Sequence, residues 1–201
     1  MRHPKSSESW DAEFRAGKYE FLKKPSEQAR LAPVVSMIAH SIEQAGPCEV
    51  VDIGCGEGIL YHHLPSSGVV RYVGMDISAV ALENLPQGPV EVAAVCANLA
   101  DWDGEPAPVA RRVVVASEVL YYDRAAVADL KRLVDETGTV SEVIVSCVAA
   151  HPDKPNWAAS SDKLWSELAQ TGWPEVERAR AADPATGVAW DMARYRVSPN
   201  R

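Results

Sequence analysis

Residues 50–58 read VVDIGCGEG: the apolar Val50 and Val51, then Asp52 and Ile53, then glycine at 54, 56 and 58. A short β-branched run that breaks into alternating glycines predicts a buried strand ending in a tight turn before a helix. Removing side chains at every second residue lets backbone N–H groups, and the helix N-terminus behind them, approach a ligand, or simply lets the chain turn sharply. The same alternation of short apolar runs and helix-length segments continues downstream. CEVVDIG, VVRYVGMD, VEVAAVCA, RRVVVASE and SEVIVSCVAA read as strands, with helices expected at 57–64, 78–85 and 124–136. Asp123 is the candidate N-cap of the last helix and Gly138 its stop. Strands separated by helices imply a parallel sheet with helices on both faces.

The flanks read differently. Residues 1–46 form an expected helical arm or lid, polar but carrying Trp10, Phe14, Tyr19 and Phe21, closed by Pro25. Leu31, Val34, Val35, Ile38 and Ile42 then fall at helical spacing, Pro33 predicts a kink or restart, and Gly46-Pro47 ends the element. Residues 47–150 are the expected cofactor-binding core. After Pro155 the order changes, and 151–201 reads as a substrate-side helix near 161–170 followed by EVERARAA and VAWDMARYRV. Asp183, Pro184, Thr186 and Gly187 make the connection between those two a turn, so they are expected to pair as an antiparallel hairpin at the sheet edge.

Composition narrows the partners. At 201 residues and 47% hydrophobic content the chain suits one α/β domain with a full core. A formal charge of −8, with no run of Lys or Arg, argues against nucleic acid. No stretch approaches the roughly 20 apolar residues needed to span a bilayer, and MRHPKSSESW lacks a signal-peptide core, so a cytoplasmic protein with no membrane partner is expected, as monomer or homodimer. Cys48, Cys55, Cys96 and Cys147 form no Cys-x-x-Cys pair and read as small core residues rather than disulfides or zinc ligands.

A second feature gives the glycine turn a ligand. Asp76, in YVGMDIS, ends the second strand and can accept both hydroxyls of a ribose lying over the loop; alternatively it caps the helix starting near Ser78. Nicotinamide dinucleotides and S-adenosylmethionine both fit that pair. Dinucleotide folds require G-x-G-x-x-G/A, but Ile59 stands at the last position, and Asp52 would repel a pyrophosphate. The same carboxylate suits the ammonium of a methionine moiety, so adenosylmethionine is preferred.

In order, VVDIGCGEG, YVGMDIS, VCANLADWD and VVVASEVLYYD resemble the successive motifs of class I S-adenosylmethionine-dependent methyltransferases, over about residues 48–148. The resemblance implies a Rossmann-like, mostly parallel seven-stranded sheet with one reversed strand, which the terminal hairpin would complete. It implies that Asp52, Gly54 and Gly56 hold the methionine part and that Asp76 holds the ribose; Cys55, Gly58 and Ile77 are further cofactor-binding candidates. Where the family often has Asp, this chain has Asn98, so adenine contact falls to Asn98, to the Leu99 backbone, or to neither. VVVASEVLYYD and the tail EVERARAADPATGVAWDMARYRVSP also resemble rhizobial nodulation-factor N-methyltransferases, which methylate an amine of a chito-oligosaccharide. WDAEFRAGKYEFLKKPSEQAR looks more like small bacterial methyltransferases of natural-product or sugar modification.

The acceptor chemistry is expected at the carboxyl ends of strands four and five. Ser117 lies at that edge on the cofactor side. Glu118 is the candidate to accept a proton or hold an ammonium, or else a salt-bridge residue; Tyr121 or Tyr122 is the candidate wall of the methyl channel, or else core. Tyr122 and His151 complete the catalytic set, although a lone loop histidine is often plain surface. Tyr19 is expected over the cofactor if the arm closes. Arg30 is the candidate for the methionine carboxylate, or for a surface ion pair with Glu27. His62 and His63 are adjacent and so face different sides of a helix, and no catalytic metal is expected. Trp102 reads as core or adenine-facing, and Trp157 and Trp165 as lid or sheet cover. The expected function is methyl transfer to N or O of a small molecule such as an amino sugar; the alternative is a catalytically silent adenosylmethionine-binding adaptor.

Overall fold

Alternation along the first strand builds two cores. In β1 (Cys48–Ile53), Cys48 and Val50 face one side of the sheet, where they pack with Leu31, Val34, Met37 and Ile38 of α3 (Leu31–Ala45). Val51 and Ile53 face the other side and pack with Leu130, Leu133 and Val134 of α5 (Ala126–Thr137) and Leu164 and Leu168 of α6 (Asn156–Ala169). A strand buried on both faces is what a continuous apolar run encodes. The computed structural model describes residues 6–28, 30–104, 111–154 and 156–197.

The remaining strands are β2 (Val69–Asp76), β3 (Glu91–Cys96), β4 (Arg112–Ser117), β5 (Val140–Ala150), β6 (Glu175–Ala182) and β7 (Ala189–Arg196). They form one seven-stranded sheet in the order β3-β2-β1-β4-β5-β7-β6. Pairing is parallel from β3 through β5, and β7 pairs antiparallel with both β5 and β6. The Rossmann-like sheet and its terminal hairpin are as expected. The strand order reverses direction between β1 and β4, and the carboxyl ends flanking such a switch point form the ligand crevice of an open α/β sheet. Among the described residues no helix is long and apolar enough to cross a membrane.

The helices depart from expectation. Segment 57–64 is a 3-10 helix over Ile59–His63, and 78–85 contains only α4 (Ala79–Leu82). The helix expected near 161–170 begins earlier, at Asn156; Pro155 lies outside the described residues. Pro33 breaks nothing, because it is the third residue of α3, where an N–H has no intrahelical acceptor to lose. Pro25 opens α2 (Pro25–Gln28) rather than closing the arm, again at a first helical position. Asp123 accepts from the Ala125 N–H at 2.9 Å, an Asx turn one step ahead of α5, which has no side-chain cap. Cys96, read as core, is exposed because β3 is the sheet edge.

Candidate active site

A cavity of about 340 Å³ opens at the carboxyl ends of β1, β2 and β4 and is roofed by the amino-terminal arm. It is lined by Asp52, Gly54, Cys55, Gly56, Asp76, Ile77, Asn98, Leu99, Ser117, Glu118, Tyr122, His151, Tyr19 and Arg30, so residues scattered over 130 positions meet in one place. Gly58 is the exception. It is buried behind the loop at φ 73°, where a Cβ would lie 2.7 Å from Pro86 and 2.8 Å from Leu85, so packing and a left-handed turn require glycine there. His62 and His63 do not line the cavity, and Trp102 is buried in the α5-side core.

The glycine turn works differently from its expected role as a donor cradle. Gly54 and Cys55 N–H both donate to Met75 O, at 2.7 and 3.0 Å, Gly58 N–H donates to Cys55 O, and Gly56 N–H donates to Asp76 Oδ2 at 2.9 Å. The loop therefore presents a side-chain-free wall instead of free donors, and a pyrophosphate would find no N–H nest. At Gly54 the close neighbour is the protein itself: a Cβ would lie 2.4 Å from Val119, the residue that locks β4's exit against β1's.

Asp76 lines the cavity with one oxygen on Gly56 N–H and the other on Ser78 N–H at 2.8 Å; the cap of α4 is Ser78 itself, whose Oγ accepts from Ala81 N–H, and not Asp76. Burial raises its pKa. Asp52 is buried on the α3 face and accepts from Tyr72 Oη at 2.7 Å; burial pushes its carboxyl up to about 7. Arg30, just before α3, is also buried. It donates from one terminal nitrogen to Ser117 Oγ at 2.8 Å, while its Nε has no hydrogen-bond partner. Arg30 lines the cavity, and a guanidinium there fits the carboxylate of an amino-acid moiety.

Glu118 sits at φ 62°, a left-handed conformation costing an L residue about 1–2 kcal/mol. Its N–H donates to Ser146 O at 2.9 Å. Ser146 Oγ donates to Oε1 at 3.3 Å and Tyr121 Oη to Oε2 at 3.0 Å. Burial raises the Glu118 pKa, opposed by the Arg30 charge. Tyr122 stands at the rim, 45% exposed, with its ring edge-on to Trp10 at 5.2 Å, so it is Tyr121 that reaches the carboxylate. His151 lies beside Trp157, ring centroids 5.3 Å apart, and its Nδ1 accepts from Asp153 N–H at 3.2 Å.

Two participants carry no local sequence signal. Ser146 lies inside an apolar strand run, and Asp11 belongs to α1 (Ser7–Arg15), yet Asp11 Oδ1 takes Ser78 Oγ–H at 2.6 Å and Val80 N–H at 3.2 Å, tying the arm to α4. The aromatics Trp10, Phe14, Tyr19 and Phe21 thereby line the cavity.

Residues 50–138 match the family profile described as a methyltransferase domain. This segment is a methyltransferase domain. Among solved structures, the N-methyltransferase NodS from Bradyrhizobium japonicum WM9 in complex with S-adenosyl-L-homocysteine is 16% identical, with a TM-score of 0.64 over 90% of this chain and 92% of its own. Magnesium protoporphyrin IX methyltransferase (ChlM) from Synechocystis PCC 6803 with bound SAH is 14% identical, with a TM-score of 0.72 over 96% and 97%. The 1,6-didemethyltoxoflavin-N1-methyltransferase from Burkholderia thailandensis is 16% identical, with a TM-score of 0.67 over 96% and 87%. No curated protein sequence matches significantly. The matched segment supplies the carboxyl ends of β1, β2 and β4 that border the cavity.

Proposed function

We propose that this methyltransferase moves a methyl group from S-adenosylmethionine to a nitrogen or oxygen of a small-molecule acceptor. The observation that carries the proposal is one cavity lined together by the buried Arg30, by Asp52, by the glycine wall and by Asp76. Arg30 and Asp52 are placed to hold the carboxylate and ammonium of the methionine part, and Asp76 the ribose diol. When bound, the cofactor supplies an electrophilic methyl on a sulfonium, open to in-line displacement. The chain's own task is then alignment, which contributes several kcal/mol, and exclusion of water by the arm's aromatic rings.

The described parts of three segments divide this work: the arm before β1 roofs the cavity through Trp10, Phe14, Tyr19 and Phe21, the β1–β5 core holds the cofactor, and the part after β5 supplies the acceptor-side wall through His151 and Trp157. The four free cysteines suit a reducing, cytoplasmic setting. Calorimetric titration with S-adenosylhomocysteine and, separately, NADH tests the reading. Binding of the first alone is expected; NADH binding with no S-adenosylhomocysteine binding would overturn it. Bound cofactor without label transfer from methyl-labelled S-adenosylmethionine to any amine, alcohol or phenol would instead favour a silent adaptor.

A further inference from the structure

The cavity wall facing the glycine turn holds a second constellation, at the carboxyl ends of β4 and β5. Three hydrogen bonds fix Glu118 in its left-handed backbone: its N–H to Ser146 O, Ser146 Oγ to Oε1, and Tyr121 Oη to Oε2. The Val148 backbone N–H adds a further bond to the carboxylate, which lines the cavity. Tyr121 Oη, which donates to Glu118, also meets the Tyr122 hydroxyl. The pair therefore reads a ligand rich in N–H or O–H donors.

Two further observations separate ammonium from hydroxyl. The first is the rings around the pair: Tyr121 and Tyr122 have centroids 4.8 Å apart, and Tyr121 and Trp157 6.4 Å apart. Lys154 Nζ already rests 4.0 Å from the Trp157 centroid, so this wall accommodates a cation. The second is charge. Among the described lining residues, the carboxylates of Glu27, Asp52, Glu57, Asp76, Glu118 and Asp123 stand against Arg30 and Lys154. Such a cavity repels an anionic acceptor and gives a neutral hydroxyl no electrostatic gain, whereas an organic ammonium gains from both the carboxylates and the ring faces.

We propose that the acceptor is an amine that enters as its ammonium ion and is received by Glu118 and Tyr121 beside the rings of Tyr121, Tyr122 and Trp157. This inference rests on the methyl-transfer reading above and narrows it to nitrogen. An ammonium has no lone pair, so one proton must leave before attack. It passes to a Glu118 carboxylate oxygen, leaving the nitrogen neutral with its lone pair free and the carboxyl protonated. Tyr121 steadies the carboxylate through that transfer.

The test needs no knowledge of the natural acceptor. S-adenosylhomocysteine is titrated first, and the saturated protein is then titrated with benzylammonium, benzyl alcohol and benzoate at about pH 7.5, where a primary amine is charged. Benzylammonium is expected to bind at least about tenfold tighter than the alcohol, and benzoate not measurably. Glu118→Gln should bring the ammonium down to the alcohol's level, and Tyr121→Phe should weaken it about three- to tenfold, with the alcohol unchanged in both. Equal binding of ammonium and alcohol, preference for benzoate, no ammonium binding, or a Glu118→Gln variant that binds normally would each overturn the inference while leaving the cofactor reading intact. Failure of S-adenosylhomocysteine itself to bind would overturn the earlier reading and this one together. Thermal melts of both variants check that each is folded.

Discussion

β1 carries a buried acid at each end, and the two are treated in opposite ways. Glu49, at the start, is fully buried and meets Arg112 Nε at 2.5 Å and Arg71 at 3.2 Å; Glu142 nearby is matched by Arg194 at 3.1 Å. Asp52, three residues on, has a tyrosine hydroxyl, and Asp76 has backbone N–H groups, with the single guanidinium of Arg30 serving the whole neighbourhood. One end of the sheet completes its own electrostatics. The other leaves carboxylates under-compensated, which is the condition under which an incoming cation binds.

Breaking the completed end should have the largest effect. Arg112→Met leaves Glu49 buried with only Arg71, and a loss of about 3–5 kcal/mol is expected in urea unfolding, with S-adenosylhomocysteine affinity in the folded fraction unchanged. A loss below about 1 kcal/mol would mean that this end is no better matched than the other.

At the open end the sign reverses. Asp52 has its folded pKa raised from 3.8 to about 7, so its contribution to stability is fully present below about pH 4 and lost as pH rises to about 7. Asp52→Asn, which can still accept from Tyr72, should therefore match the wild type at about pH 4 and exceed it at about pH 8, by at most about 4 kcal/mol. The bound ammonium favours the carboxylate, so wild-type affinity for S-adenosylhomocysteine should rise with pH up to about 7 and then level, while the variant's stays flat. Equal destabilisation of the variant at every pH would contradict both expectations.

Asp76→Ala should weaken S-adenosylhomocysteine about 10- to 100-fold, from the loss of charge-assisted bonds worth about 1.5–3 kcal/mol; unchanged affinity would leave Asp76 only its structural bonds to Gly56 and Ser78 N–H. The smallest effect is expected for Gly56→Ala. Its φ is 56°, but the new Cβ has 3.5 Å of clearance from Phe14, so only the left-handed strain of about 1–2 kcal/mol applies in a denaturant melt.

The same contrast explains what could be read in advance. Strands were legible because burial on both faces leaves an unbroken apolar run, and the hairpin because Asp183, Pro184, Thr186 and Gly187 force a turn. Helix lengths at 57–64 and 78–85 were not, since those segments are polar enough for a helix surface yet dock only one turn each. Glycines that serve a turn and glycines that face a cavity look identical as letters, so Gly58 could not be told from Gly56. The Ser146 and Asp11 contacts arise between distant segments, and nothing in their neighbours' sequence announces them.

The left-handed backbone of Glu118 sets a trap for anyone selecting this protein for robustness. Glycine relieves the torsional penalty at that position, so a library screened only for heat resistance should accumulate Glu118→Gly, trading a side chain the cavity uses for a backbone the fold prefers.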